Sequence, residues 1–454
     1  MSPSPVSTIY ALSTPPGVAA LAVIRLSGPG TQDALAALGA NGLTPRQAGL
    51  RRLVDPATGS MLDHALVTFF AAPKSFTGED MADLSVHGGR AVVAAVLSAL
   101  AALPGLRLAE PGEFTKRAFL NHKLDLTEAE AVADLIHAET SLQRVQALAQ
   151  LGGGLKNLYD RWRDTLIKIC AYLEAHLDFP DEGLPVDLAQ KTLPGLADLA
   201  REISAHLADG ARGELIRDGA RVVIIGAPNV GKSSLLNAVA RREVAIVSEV
   251  PGTTRDVIDV HLDLAGLAVT LSDTAGLRAA GNDVHGRIEQ LGIDRARGRA
   301  RTAQIKLALF DASVAPDPDI TAMIDEQTLV VLTKIDLVSR QAPGATRWRG
   351  QTAWAISTLT GAGLQEFLAA LTARLHNDLG QAKGEGIGLT RARHRDALTM
   401  CLAALERARD VSPEAPELLA EECRAAISAL SRLTGRIDVE DLLEVIFRDF
   451  CIGK

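Results

Sequence analysis

Over about the first 120 residues, short β-like runs alternate with helix-like stretches. Ile9-Tyr-Ala-Leu12, Leu21-Ala-Val-Ile-Arg-Leu26 and Ala65-Leu-Val-Thr-Phe-Phe70 read as strands, and Ala91–Leu103 as a buried helix. Turn signals at Pro15-Pro16-Gly17, Ser27-Gly28-Pro29-Gly30 and His87-Gly88-Gly89 separate them, which predicts a compact α+β domain over 1–121. From residue 122 the texture changes. Thr127-x-x-Glu130 has the form of a capping box, and the stretch after it is rich in Ala, Leu and charged residues at helical spacing. Trp162, Leu166, Ile169 and Leu173 fall on one helix face, which predicts core. Phe179-Pro-Asp-Glu182 breaks this region before another helical run to about residue 208. Residues 215–379 alternate strand-like and helix-like runs, which predicts a largely parallel sheet. A polar, glycine-rich exit from Asn377 to Gly388 returns the chain to helical runs at 391–409, 414–432 and 437–450. Because a domain's termini often lie close together, the α/β domain can be inserted into another. The helical segments 122–214 and 380–454 are therefore read as one discontinuous bundle.

At 454 residues the chain exceeds one ordinary core, and three domains are expected. Apolar content of 47% with 22% charged residues is that of a folded globular protein. A net charge of −8 gives no overall attraction to nucleic acid or to an anionic membrane, so RNA contact would need a local basic face or a partner. Arg295-Ala-Arg-Gly-Arg-Ala-Arg301 and Arg391-Ala-Arg-His-Arg395 are candidates for such a face, with solvated helix surfaces as the alternative. Cys170, Cys401, Cys423 and Cys451 have neither C-x-x-C nor zinc spacing, which suggests a reducing compartment and burial for the first three. The N-terminus lacks the basic and apolar regions of a signal peptide, and Ala91–Leu103 is too short to span a bilayer. A cytoplasmic protein without a membrane partner is expected.

Gly226-Ala-Pro-Asn-Val-Gly-Lys-Ser233 fits G-x-x-x-x-G-K-[ST], between the apolar run Arg221-Val-Val-Ile-Ile225 and the helix-like Ser234–Val239. In that setting backbone N–H groups and a helix N-terminus can cradle a polyphosphate. A lone loop of this pattern can arise by chance. Here Gly252-Thr-Thr-Arg-Asp256, Asp273-Thr-Ala-Gly276 and Thr333-Lys-Ile-Asp336 come after it in order, the sequence of motifs of a P-loop GTPase of Ras-like α/β fold. Lys232 can reach the β- and γ-phosphates. The Ser233 and Thr254 hydroxyls can ligate Mg²⁺, a hard cation that prefers oxygen. Asp273 would hold a metal-bound water, and Gly276 can approach the γ-phosphate. Asp336 can accept N1–H and N2–H of guanine, a pair adenine does not offer, which selects GTP. Thr333 departs from the common Asn, whose amide usually braces the phosphate loop and faces the base. Guanine selectivity is expected to weaken somewhat, with Asp336 carrying the larger part. A fifth element, Ser357-Thr-Leu359, comes after the run Ala353–Ile356 and has Thr358 where Ala is usual. The GTP contacts assigned on these motifs are Asn229, Val230, Gly231, Lys232, Ser233, Thr253, Thr254, Asp273, Thr274, Ala275, Gly276, Thr333, Lys334, Asp336 and Ser357, with Ser234 and Ser248 beside them, the latter through the family resemblance given below.

Outside that domain stand Ser75-Phe-Thr-Gly-Glu-Asp80, His87-Gly-Gly89, Pro111-Gly-Glu-Phe114, Arg117-Ala-Phe-Leu-Asn121, Lys123-Leu-Asp-Leu126 and the terminal Phe450-Cys451-Ile-Gly-Lys454. With these motifs the whole chain resembles the bacterial tRNA modification GTPases of the MnmE, or TrmE, family. The resemblance implies a homodimer whose GTP hydrolysis is coupled to 5-carboxymethylaminomethyl modification of the wobble uridine of certain tRNAs. It implies a hetero-oligomer with the flavoprotein MnmG and a one-carbon donor, 5-formyltetrahydrofolate or a related tetrahydrofolate, held near the N-terminal domain. Arg25, Asp83, Lys123 and Lys454 fall at the family's folate positions, with structural salt bridges as the alternative for each. Asp83 stands where Glu is usual, and Gly17-Val-Ala-Ala20 has fewer glycines than the family loop, so a shifted folate geometry is expected. Cys451 is a candidate through its place in the tail, and a buried small apolar residue is the other reading. A prenylation box is a rival reading of the tail that Gly453 and Lys454 fit poorly.

Leu277 comes directly after the D-x-x-G glycine, where Ras-like enzymes place a water-orienting Gln, and an aliphatic side chain cannot orient water. The resemblance assigns that role to Glu289 in Ile288-Glu-x-x-Gly-Ile-Asp-Arg295, with Asp283 the nearest rival acid. No arginine finger is identifiable in the sequence. The family meets transition-state charge with K⁺, for which Asn229 and the loop residues Ser248, Val250 and Thr253 are the implied ligands. An Era- or Der-type ribosome-assembly switch is the alternative function, since it shares the P-N-V-G-K-S and G-T-T-R-D words. The α+β N-terminal domain and the F-C-I-G-K tail argue against it, and the lack of an amphipathic anchor argues against a membrane-attached regulator.

Overall fold

The computed structural model describes residues 7–178, 188–242, 244–246, 259–273, 303–338, 341–380, 388–412, 415–437, 446, 450 and 453. The chain divides into two compact units, one of residues 1–133, 150–197 and 400–454, the other of 134–149 and 198–399.

In the first unit, strands β1 (Thr8–Leu12), β2 (Leu21–Ser27), β3 (Ala48–Val54), β4 (Met61–Phe70), β5 (Met81–His87) and β6 (Leu106–Leu108) form a sheet of order β3-β4-β5-β2-β1-β6. All neighbours are antiparallel except β1 and β6. Alternation divides each strand between two faces. Ala22, Ile24 and Leu26 of β2 and Ala82, Leu84 and Val86 of β5 join Leu35 and Leu38 of α1 (Thr31–Ala37) and its C-cap in one core. Val96 and Leu100 of α2 (Arg90–Ala101) complete it. On the other face Ile9 and Ala11 pack with Phe114 of α3 (Glu113–Leu120). Arg25 and Asp83 belong to the non-core alternation of β2 and β5, where they are cross-strand partners.

Helix α4 (Leu126–Ile136) begins earlier than the Thr127 capping box implies. The box is formed by Asp125 with Glu128, in place of Thr127 with Glu130: Asp125 Oδ1 accepts from Glu128 N at 2.8 Å, and Glu128 Oε2 accepts from Asp125 N at 2.8 Å. Thr127 donates its hydroxyl to Asp125 Oδ1, and Glu130 is fully buried. After α5 (Ser141–Leu151), the long α6 (Gly154–Asp178) buries Trp162, Leu166, Ile169 and Leu173, the stripe expected as core. Cys170, Cys401 and Cys423 are buried free thiols, and burial pushes Cys401 and Cys423 up to about 12, far from reactive thiolates.

After α7 (Leu188–Ala208) and α8 (Gly210–Asp218), the second unit's sheet has order β12-β13-β11-β10-β7-β9-β8. Its strands are β7 (Ala220–Gly226), β8 (Asp259–Leu264), β9 (Leu267–Asp273), β10 (Ile305–Asp311), β11 (Thr328–Thr333), β12 (Gly344–Trp348) and β13 (Gln351–Ala355). The central strands β13, β11, β10, β7 and β9 run parallel, and each edge is an antiparallel hairpin. Both faces of β7 are covered, so its sequence reads as a continuous apolar run. Val222 and Ile224 share a core with α9 (Lys232–Ala240), while Val223 and Ile225 belong to the opposite core with Phe310 and Leu332. Helix α10 (Pro318–Ala322) precedes β11, and α11 (Leu364–Gly380) adds Phe367, Leu371 and Leu375 to the α9 side. Helices α12 (Ala392–Asp410) and α13 (Pro416–Thr434) come after α11, and α13 packs along α6 in the first unit. This is the expected multidomain class: an α+β sheet domain, a set of long helices, and an α/β nucleotide-type domain.

Candidate nucleotide site

Strands β7, β9, β10, β11 and β13 end on one side of the parallel sheet, and sheet order reverses between β7 and β10. Ligands of open α/β sheets bind at such a switch point, beyond the carboxyl ends of the strands. The phosphate-loop sequence leaves β7 here and enters α9. Asn229 and Gly231 take left-handed backbone with φ of 61° and 103°, which turns the loop back over the N-terminus of the helix. At Gly231 only glycine adopts that angle without strain. The Lys232 ammonium donates to Gly226 O at 2.8 Å and Ala227 O at 2.9 Å, so it lies within the loop it is expected to serve. Ser233 Oγ donates to Asp273 Oδ2 at 3.3 Å, bringing together, from α9 and the end of β9, the two groups expected on the magnesium side.

Thr333 ends β11 and is buried. Its hydroxyl donates to Val230 O at 2.6 Å, with Phe310 O at 3.2 Å. The bracing expected of an Asn amide is thus made by the Thr hydroxyl. Lys334, at φ 56°, pairs with Asp311 Oδ2 at 2.8 Å. Burial would raise the Asp311 carboxyl, but the Lys334 and Ser313 hydrogen bonds and the Lys334 charge outweigh it and hold the group below its usual value. Asp336 lies exposed in the short 3₁₀ turn Ile335–Leu337. Ile335 N donates to Ile356 O at 3.4 Å, joining this turn to the loop after β13. There Ser357 is buried, its hydroxyl accepting from Thr360 N at 3.2 Å. Asp311 escaped the sequence reading because it carries no motif; its one signal is an acid closing the apolar run 307–310.

Ser248, Val250, Thr253, Thr254, Thr274, Ala275, Gly276, Leu277, Asp283, Glu289, Cys451 and Lys454 lie outside the described residues, as does the cluster Arg295–Arg301. Among the described residues no three or more His, Cys, Asp or Glu cluster as for a metal ion. The Ser233–Asp273 pair instead fits an ion that keeps most of its ligands from water and phosphate, as Mg²⁺ does. Of the second basic cluster, Arg391 pairs with Asp134 at 2.7 Å and Arg395 with Glu214, so these charges serve ion pairs inside the unit.

In the first unit, Arg25 and Asp83 form a two-pronged ion pair, Nε–Oδ1 2.8 Å and Nη2–Oδ2 3.0 Å. Lys123 is exposed and donates to Pro73 O at 3.0 Å. Gly453 docks on this domain: Ser13 Oγ donates to Gly453 O at 3.0 Å, just past β1, where Ala11 is the cross-strand partner of Arg25.

Residues 8–123 match a family model described as GTP-binding protein TrmE N-terminus, and residues 126–451 one described as MnmE helical domain. A tRNA modification GTPase MnmE of Parvibaculum lavamentivorans is 52% identical over 450 residues, covering 98% of this chain and 100% of its own. Its counterpart in Rhodospirillum rubrum is 50% identical over 471 residues, covering 99% and 100%. That of Paramagnetospirillum magneticum is 49% identical over 451 residues, covering 98% and 99%. Among solved structures, the G domain of the T. maritima FeoB iron transporter matches at 24% identity over 35% of this chain and 98% of its own, with a TM-score of 0.26, too loose to argue from.

Proposed function

The chain belongs to the MnmE family of tRNA modification GTPases, and from that premise we propose how its own residues divide the work. It is a GTP-hydrolysing enzyme of tRNA modification that uses Mg²⁺. The observation that carries this reading is the meeting of Lys232, Ser233, Asp273 and the Thr333–Asp336 turn around one loop at the ends of β7, β9 and β11. Lys232 binds the β- and γ-phosphates. Ser233, with Thr254, holds Mg²⁺, which when bound offsets phosphate charge; Asp273 orients its water. Asp336 reads the Watson–Crick edge of guanine. Glu289 positions the attacking water.

Asn229, exposed at the loop tip, offers an amide oxygen for K⁺, with Ser248, Val250 and Thr253 as its other ligands. The working form is a homodimer. Leu50 and Leu66 are cross-strand partners near the sheet edge, 66% and 45% exposed, an apolar pair that a second copy can cover. The paired Arg25–Asp83, with Lys123 and Lys454, binds a tetrahydrofolate. The hydrogen bond from Ser13 to Gly453 supports this, because Ser13 comes just after β1, whose Ala11 is the cross-strand partner of Arg25. MnmG is the partner in wobble-uridine modification, and the setting is the cytoplasm. No helix among the described residues is long and apolar enough to cross a membrane. Full-length kinship with tRNA modification GTPases favours this function over a ribosome-assembly switch.

The test is nucleoside analysis of tRNA from cells lacking the protein, beside assays of GTP hydrolysis by the chain in K⁺ and in Na⁺ at equal ionic strength. Loss of the 5-substituted wobble uridine and faster hydrolysis in K⁺ are expected. Unchanged wobble uridines would remove the modification role, and equal rates in the two salts would remove the K⁺ site.

A further inference from the structure

Resting on the guanine-nucleotide reading of this site, we propose that Thr333 makes the site indifferent to N7 of the base, so that it accepts guanine nucleotides altered at position 7. A threonine hydroxyl has one proton to donate. Here the two oxygens beside it, Val230 O at 2.6 Å and Phe310 O at 3.2 Å, are both carbonyls, which only accept. The proton is therefore committed to the protein interior, where the residue is 1% exposed. N7 of guanine is itself an acceptor and needs a donor.

An asparagine at this position has two N–H groups on one nitrogen and can brace the loop with one while offering the other to the base. Threonine can do one of these, and the structure assigns it the brace. The brace has a purpose of its own. Val230 lies between two left-handed residues, Asn229 at φ 61° and Gly231 at φ 103°, so fixing its carbonyl fixes the loop that faces the phosphates. Thr333 is thus a positioning residue for the phosphate loop, and reading of the base is left to Asp336.

The experiment measures affinities of the full chain for GDP, 7-deaza-GDP, which has C–H in place of N7, and IDP, which lacks the 2-amino group. GDP and 7-deaza-GDP should bind within about twofold of each other, and Thr333→Asn should open a gap of about three- to tenfold, the size of one neutral hydrogen bond. Thr333→Val, which removes the brace, should weaken GDP and 7-deaza-GDP by the same factor, and Thr333→Ser should restore both. In the unaltered chain, a preference of about threefold or more for GDP over 7-deaza-GDP would overturn the inference, as would a Thr333→Val loss confined to GDP. IDP bound as tightly as GDP would instead overturn the guanine reading on which it rests.

Discussion

Glu113 lies buried between two guanidinium groups, with Arg107 Nη1 at 2.8 Å from one carboxylate oxygen and Arg117 Nη2 at 3.0 Å from the other. Arg117 in turn reaches Glu79 at 3.0 Å, whose carboxylate also accepts from the Ser27 hydroxyl on β2. Burial alone would raise the Glu113 carboxyl, but the hydrogen bonds from Arg107, Glu110 N–H and Arg117, with the Arg117 charge, outweigh it and leave the pKa below 4.5. A depressed folded-state pKa means that the group's stabilisation is present above the unfolded value and is lost as pH falls through the folded one. Glu113→Gln should therefore be less stable than the native chain at neutral pH, with the difference shrinking once pH falls below about 4.5. Urea unfolding across that range checks it, and a constant difference at every pH would reject the charged role of Glu113. At this scale the sequence was readable where one side chain has one task. Lys232 and Ser233 open α9 after the loop that leaves β7, the strand–loop–helix order that the pattern predicts. The direction of the Thr333 hydroxyl, and the hold of Asp311 on Lys334, depend on which strand ends lie side by side, information that no local pattern carries.

The start of α4 shows the same limit for an element. Asp125-x-x-Glu128 and Thr127-x-x-Glu130 both have capping-box chemistry in overlapping frames, so local sequence leaves the helix start undecided. Packing decides it: Glu130 is fully buried, and Leu126 and Ala129 enter a core with Phe119 and Phe450, which requires the earlier start. Asp125→Ala should then cost about 0.5–2 kcal/mol of unfolding free energy, the usual range for a lost helix cap. Asp125→Asn should recover much of it, since the amide oxygen can still accept from Glu128 N. Denaturant unfolding of the two variants checks this, and an unaffected Asp125→Ala protein would return the cap to Thr127. Elements with strong periodicity were legible because burial and period agree, as in the stripe Trp162, Leu166, Ile169 and Leu173 on α6. Arg25 and Asp83 could not be paired from sequence. Their meeting needs the register of β2 on β5, which is set by the alternation of two strands far apart in the chain.

For the whole molecule, the hydrogen bond from Ser13 to Gly453 ties the two ends of the chain together across 440 positions. Gly453 has φ 96°, and a Cβ there would stand 2.5 Å from Leu12 O, so a larger residue cannot keep this docking. Gly453→Val is therefore a way to lift the tail from the N-terminal domain while leaving Lys454 in the chain. If Lys454 serves a folate site with Arg25 and Lys123, affinity for 5-formyltetrahydrofolate should fall about tenfold or more, the scale of a lost charge-assisted contact. GTP hydrolysis should hardly change, because Lys232, Ser233 and Asp273 belong to the other compact unit. Truncation after Phe450 should match Gly453→Val if docking is what matters. Calorimetric folate titration beside a GTPase assay separates the outcomes. Undiminished folate affinity in both variants would reject the tail as part of that site. Loss after truncation alone would mean that Lys454 reaches the folate without the Ser13–Gly453 contact. A fall in both activities together would show that the tail holds the fold, through the docking of Gly453 on Leu12 and Ser13, rather than a ligand.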